Sequence, residues 1–305
     1  MQLPRVDIIG VASGLGAPDP RCADAPAALR AAGFVPRLRA AGIEATWRAT
    51  VRPSAANARV PLAAVAQVAR DLARHIGAAV SRGCLPLILG GDHSCAIGTW
   101  KGVAHAMPGP LGLIWIDAHM DAHTPQTSES GRLHGMPLAC LLGYGDNTLT
   151  GIAGGARLEP ANVCLIGIRS FEQGEAALLR RLGVRVFPMR EIKQRGFDAV
   201  LRDAREIAGR DTAGYGISVD LDAIDPREAP GVGSPVRGGL NATEVVNALA
   251  LHAGDKALRG LEIVEYNPYL DRDAQTIALV PAIAEALLAP QHAFEFARGG
   301  PPERA

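Results

Sequence analysis

Two apolar runs in this chain each end in a burst of acids: residues 111–116 run into Asp117-Ala-His119-Met-Asp121, and residues 215–219 into Asp220-Leu-Asp222. Residues two apart on an extended backbone lie on the same side, so each burst aims several donor atoms at one point. Four aspartates meeting in one pocket repel, and without cations between them some must stay protonated. A fold that tolerates this has to bury both strands and still bring their ends to a common edge. A third apolar run, 85–89, leads into Gly90-Gly-Asp-His93-Ser and adds an imidazole.

Together His93, Asp117, His119, Asp121, Asp220 and Asp222 read as the ligand set of a two-metal site. Two divalent cations cancel four carboxylate charges, and oxygen-rich ligation with two imidazoles suits a hard cation such as Mn²⁺; the spacing also admits Zn²⁺, Fe²⁺, Co²⁺ or Ni²⁺. Each segment has a plainer reading by itself. Asp-x-His serves as a loop cap or surface pair, and Asp225-Pro226 is ordinary turn chemistry. Three such segments, each directly after a strand-like run, favour the metal reading.

Short apolar runs alternate with longer amphipathic ones along the chain. Residues 6–11, 85–89, 111–116, 163–166, 184–187, 215–219 and 258–264 predict strands, and 62–80, 175–182, 197–208, 242–252 and 273–288 predict helices. This alternation predicts an α/β fold with a mostly parallel sheet covered by helices on both faces. Ligands in such folds gather outside the carboxyl ends of the strands, where every candidate metal residue lies. The Pro- and Gly-rich stretches 18–26 and 229–239 are short and read as loops, so residues 1–305 are expected to form a single domain.

With 48% hydrophobic residues the 305-residue chain can bury a substantial core. Its 31 basic and 31 acidic side chains balance, which argues against a nucleic-acid or anionic-membrane partner and for a small one. The five cysteines form no CxxC pair and do not suit a full disulfide framework. Residues 1–11 are too short and polar for a signal peptide, and no apolar run reaches the roughly 18 residues that span a bilayer. A cytoplasmic location and a frayed end at residues 298–305 are the corresponding expectations.

The chain resembles the ureohydrolases, the family of arginase, agmatinase and formiminoglutamase, over about residues 6–288. The resemblance is carried by Gly90-Gly-Asp-His93-Ser, Trp115-Ile-Asp-Ala-His-Met-Asp121 and Ser218-Val-Asp-Leu-Asp-Ala-Ile-Asp-Pro226, in that order. It implies a three-layer α/β/α domain with an eight-stranded sheet, two Mn²⁺ per subunit, homotrimers or homohexamers, and hydrolysis of a guanidino C–N bond. By motif position His93, Asp117, Asp121 and Asp220 would hold one ion and Asp117, His119, Asp220 and Asp222 the other, with Asp117 and Asp220 shared. Two cations about 3.5–4 Å apart lower the pKa of a shared water from about 15.7 towards neutrality, and the hydroxide attacks the guanidinium carbon.

The same resemblance places Glu265 at the guanidinium-binding position and His134 at that of the proton shuttle, where imidazole titrates in the useful range. The loop His123-Thr-Pro-Gln-Thr-Ser-Glu-Ser130-Gly-Arg-Leu-His134-Gly-Met-Pro137 follows the arginase pattern, which makes L-arginine, cleaved to L-ornithine and urea, the leading substrate. Ser130 matches a serine that contacts the substrate carboxylate, whereas His123 stands where an Asn is usual. Glu172 and Glu175 fall at the acids expected to meet the α-ammonium, Glu172 in place of an Asp. The departures at His123 and Glu172 leave agmatine, a guanidino acid or another guanidine compound as the alternative substrate. A catalytically silent binding protein is the non-enzyme alternative, opposed by the intact ligand set.

Overall fold

The apolar runs become strands of one sheet. The structure is a computed structural model that describes residues 5–290, so the expected frayed segment 298–305 lies outside the described residues. The strands are β1 (Val6–Val11), β2 (Ala45–Val51), β3 (Leu85–Leu89), β4 (Gly112–Ile116), β5 (Val163–Ile168), β6 (Arg185–Pro188), β7 (Tyr215–Asp220) and β8 (Leu258–Val264). They lie in the order β2-β1-β3-β8-β7-β4-β5-β6, and every pairing is parallel. The sheet is therefore parallel throughout, where the pattern predicts only a mostly parallel one.

Most strands are buried on both faces, which is why they read as continuous apolar runs. β2 escapes that signature. It is an edge strand whose interior residues are only half-buried, and Thr46, Arg48 and Thr50 break the apolar run. The helix Ala96–Ala106 is equally illegible in the sequence, for the opposite reason: residues 96–103 are all buried, so no polar face marks its period.

Successive residues of a strand face opposite layers, and the two cores divide accordingly. Ile114 and Ile116 of β4, with Ile217 and Val219 of β7, pack on one side with the helices Phe197–Gly209, Ala242–Ala250 and Gln275–Leu288. Leu113 and Trp115 pack on the other with the helices Pro61–Ser81 and Ala96–Ala106. On this second face β7 presents Gly216, Ser218 and Asp220, small or polar residues where the first face has branched aliphatics. Gly216 has a steric reason: a Cβ there would lie 1.9 Å from Cζ3 of the buried Trp100 ring.

The chain first builds outward from β1 through β2 and β3, then fills the other half, so β3, β8, β7 and β4 form the centre of the sheet. The crevice outside their carboxyl ends is the natural ligand position. Gly216→Ala should force Trp100 off its seat and lower the unfolding free energy by about 1–3 kcal/mol. Urea denaturation measures this, and a variant as stable as the parent would show that Trp100 can shift freely.

Candidate metal centre and substrate cavity

Each of the four central strands delivers part of the site. β3 leads through Gly90, Gly91 and Asp92 into a 3-10 turn that carries His93, and Asp92 caps that turn by accepting from Ser94 N–H (2.9 Å). β4 ends directly before Asp117, β7 ends at Asp220, and Glu265 follows β8. Asp121 and Glu265 have φ of 48° and 66°, left-handed values that non-glycine residues rarely adopt. Such strain persists where the surroundings over-determine the backbone, as in binding sites.

The structure brings all six expected ligand residues together. His93 Nδ1 lies 3.3 Å from Asp117 Oδ2, 3.1 Å from Asp121 Oδ2 and 3.1 Å from Asp220 Oδ2. His119 Nδ1 lies 3.6 Å from Asp117 Oδ1 and 3.1 Å from Asp222 Oδ2. Asp117 thus turns one oxygen to each imidazole and belongs to both compact donor groups, His93-Asp117-Asp121 and Asp117-His119-Asp222, whose ligand atoms lie within 4.8 Å of one another. Asp220 stands beside His93 and is fixed by accepting from Asp222 N–H (2.8 Å). Asp117 is fixed twice, by His119 N–H (2.7 Å) and by the Trp115 indole N–H (2.8 Å).

Burial and close approach shift the ionisation of this cluster. Burial, then the neighbouring acids, push Asp220 well above the usual carboxylate range and Asp222 up to about 6. Burial opposes a charged imidazole, but hydrogen bonds to Asp117 and Asp222 outweigh it and push His119 up to about 12. His93 is likewise held well above its ordinary value by Asp117, Asp121 and Asp220 against its burial. These shifts favour protons held within the cluster, which bound cations would replace. Carboxylate oxygens and two Nδ1 atoms converging from buried, hydrogen-bonded side chains fit a pair of divalent metal ions.

One supporting residue has no counterpart in the sequence reading. Glu262, fully buried on β8 and paired in register with Ser218 of β7, accepts from Ser218 Oγ (2.6 Å), Trp100 Nε1 (3.1 Å), Cys95 Sγ (3.6 Å) and the Thr99 hydroxyl. Ser218 gives its one proton to Glu262, so its contact with His93 Nε2 (3.0 Å) is a bond donated by the imidazole. That arrangement leaves the Nδ1 lone pair of a neutral His93 aimed at the three aspartates. The His93 ring also stacks on Trp115 with centroids 4.1 Å apart. An acid inside an apolar strand is the signal that points to Glu262, and Glu265 three residues on draws attention away from it.

Above the six expected ligand residues lies a cavity of about 190 Å³ lined by all four expected substrate contacts, His123, Ser130, Glu172 and Glu175, and by His134 and Glu265. His134 Nδ1 is 3.2 Å from Glu265 Oε1, the oxygen that also accepts from His93 N–H (2.8 Å). Burial opposes the His134 charge, but Glu265 outweighs it and pushes the imidazole up to about 9. His123 does not stand free: its Nε2 lies 2.7 Å from Glu172 Oε2 and 3.4 Å from Glu175 Oε2. Glu172 and Glu175 also form a capping box on the helix Gln173–Leu182, so they have a structural duty as well as a place in the cavity. All five cysteines are buried and free.

Metal loading should displace a proton from each imidazole, so divalent-ion affinity rises with pH. Isothermal titration in two buffers of different ionisation enthalpy checks this; no net proton release would refute the picture of protons standing in for cations. Glu262→Gln should weaken metal affinity about 10- to 100-fold by loosening the His93 tautomer. An unchanged binding isotherm would reduce Glu262 to packing.

Comparison with known proteins agrees with this geometry. The Arginase family model matches residues 4–289. The chain is 38% identical over 291 residues to an arginase of Bacillus caldovelox and 39% over 290 residues to one of Brevibacillus brevis, covering 92% of this chain and 97% of each relative. The crystal structure of arginase from Bacillus subtilis superimposes with a TM-score of 0.87 at 35% identity, over 93% of this chain and 98% of that one. The chain belongs to the arginase family.

Proposed function

We propose that this protein hydrolyses L-arginine to L-ornithine and urea with two divalent cations, Mn²⁺ by preference. The observation that carries the reading is the shared cavity: Glu265 and His134 face the same space as both metal-donor groups. His93, Asp117, Asp121 and Asp220 would hold one ion, and Asp117, His119, Asp220 and Asp222 the other. When bound, the ions supply a water activated as a nucleophile at neutral pH.

The protein's own residues do the rest. Glu265 offers its carboxylate to the cationic guanidinium and keeps the central carbon over the metal ligands. As the carbon–oxygen bond forms and the carbon–nitrogen bond breaks, the departing amine needs a proton. His134, pushed up to about 9, holds one at neutral pH, and its Nε2 is free of protein partners among the described residues while Nδ1 contacts Glu265. Glu172 and Glu175 suit an α-ammonium at the outer end of the cavity, with Ser130 and His123 nearby.

One observation favours a second reading. His123 already satisfies Glu172, so a substrate without an α-ammonium, such as a guanidino acid, would leave that pair intact. Self-association in trimers or hexamers belongs to the same family reading, and light scattering on the metal-loaded protein tests it. No described helix is long and apolar enough to cross a membrane.

Urea release from L-arginine, agmatine and 4-guanidinobutanoate by Mn²⁺-loaded protein, with metal content measured on the same sample, tests the function. L-arginine is expected to be the best substrate; a preference for either of the others would reassign the outer pocket. His134→Asn should keep its metal and slow turnover by roughly 10²-fold or more. Full turnover by that variant would remove His134 from proton transfer.

A further inference from the structure

One further donor cluster stands outside the two metal groups. His123, Glu172 and Glu175 bring one imidazole nitrogen and two carboxylate oxygens within 4.8 Å of one another, and all three residues line the cavity. The plain reading is an ion pair at the start of the helix Gln173–Leu182. The way each donor is held argues for more. Glu175, only 3% exposed, uses one lone pair of each oxygen on a backbone N–H: Oε1 accepts from Ala122 (3.1 Å) and Oε2 from Glu172 (3.0 Å). Each oxygen keeps a second lone pair. His123 is anchored from behind through Nδ1, 3.1 Å from Thr127 Oγ1. That hydroxyl accepts from Thr124 N–H (2.9 Å) and reaches the Thr124 carbonyl with its own proton (3.4 Å), so the bond to the ring is donated by Nδ1. Gly174 makes room for the anchor, since a Cβ there would lie 2.7 Å from Thr127 Cβ. Nε2 is thereby turned to Glu172 Oε2 and Glu175 Oε2, at 2.7 and 3.4 Å. With the hydrogen of a neutral ring on Nδ1, the three atoms that face one another are all acceptors, and a cation or an added proton must lie between them.

We propose that His123, Glu172 and Glu175 form a further cation site at the outer end of the cavity, which takes a single ion of the Zn²⁺ class apart from the ions of the two inner donor groups. One imidazole with two carboxylates suits a borderline ion such as Zn²⁺ better than Mg²⁺ or Ca²⁺, which take oxygen ligands. Zinc held by three side chains keeps a fourth position for water, and the cavity provides space for it. The bond from Nδ1 to Thr127 is the kind of outer contact that fixes the tautomer and orientation of an imidazole ligand. On the arginine reading, a bound ion engages both acids proposed for the α-ammonium. Zn²⁺ then competes with the outer end of L-arginine and leaves Glu265, at the guanidinium end, untouched.

Titrating the Mn²⁺-loaded enzyme with Zn²⁺, with both metals counted on the same dialysed sample, tests the site. The parent should take up one Zn²⁺ per chain with its Mn²⁺ retained, and crystals should scatter anomalously at the zinc edge beside His123 and Glu175. His123→Ala should weaken that uptake roughly 100-fold or more, and Thr127→Val, which keeps all three donors and removes the anchor, roughly tenfold or more. Retained Mn²⁺ in each variant shows that the fold and the inner groups survive. Zinc taken up only as Mn²⁺ leaves, or a Zn²⁺ that still binds without His123, would overturn the site. In turnover, Zn²⁺ should raise KM for L-arginine with little change in kcat, and Thr127→Val should blunt the rise. A zinc ion bound at His123 that leaves this KM unchanged would uphold the site and sink the placement of the α-ammonium at Glu172 and Glu175. The metal count needs no turnover, so a wrong substrate and a wrong site give different results.

Discussion

Mutual repulsion among four buried aspartates is the constraint around which this molecule is arranged. Carboxylates this close and this dry cost several kcal/mol each unless protons, donors or cations neutralise them. The protein meets the cost locally with backbone N–H groups from His119 and Asp222, the Trp115 indole and two imidazoles. The result is a pair of compact donor groups at the centre of the sheet edge. These donor groups are therefore assembled by the fold and not by any one side chain.

The strand order makes this possible. β3, β8, β7 and β4 are neighbours in the sheet but are separated widely in sequence, and all point their carboxyl ends the same way. Strands that run parallel place every ligand-bearing turn on one edge, and helices on both faces keep that edge dry behind the cavity. Beneath it Glu262 ties the second core to the site. Its carboxylate gathers donors from the turn and helix after β3 and from Ser218 on β7, so the orientation of His93 depends on packing around Trp100. The absence of a side chain at Gly216 is what lets Trp100 sit there.

The outer cavity follows different physics. Ligands at the metal end are buried and multiply hydrogen-bonded, which demands near-exact placement. The loop from His123 to His134 and the turn before the helix Gln173–Leu182 are more exposed. His123, Arg132 and Glu172 line this outer part of the cavity. The six expected ligand residues and the outer lining residues thus form separate layers around the same cavity.

Local sequence determined much of this protein. Alternating apolar and amphipathic segments disclosed a parallel α/β sheet, and the Asp-x-His-x-Asp and Asp-x-Asp spacings at strand ends disclosed acids and imidazoles that the structure brings together, because period-2 geometry acts within a few residues. Edge strand β2 and the buried helix Ala96–Ala106 stayed hidden, since the one is only half-buried and the other has no polar face. Only the tertiary structure decided which strands are neighbours, and with that the Ser218–Glu262 pairing that orients His93. It alone set His123 against Glu172 and placed Arg132 at the cavity wall. Those relations join residues dozens of positions apart, and their energy lies in packing and charge that no short window of sequence contains.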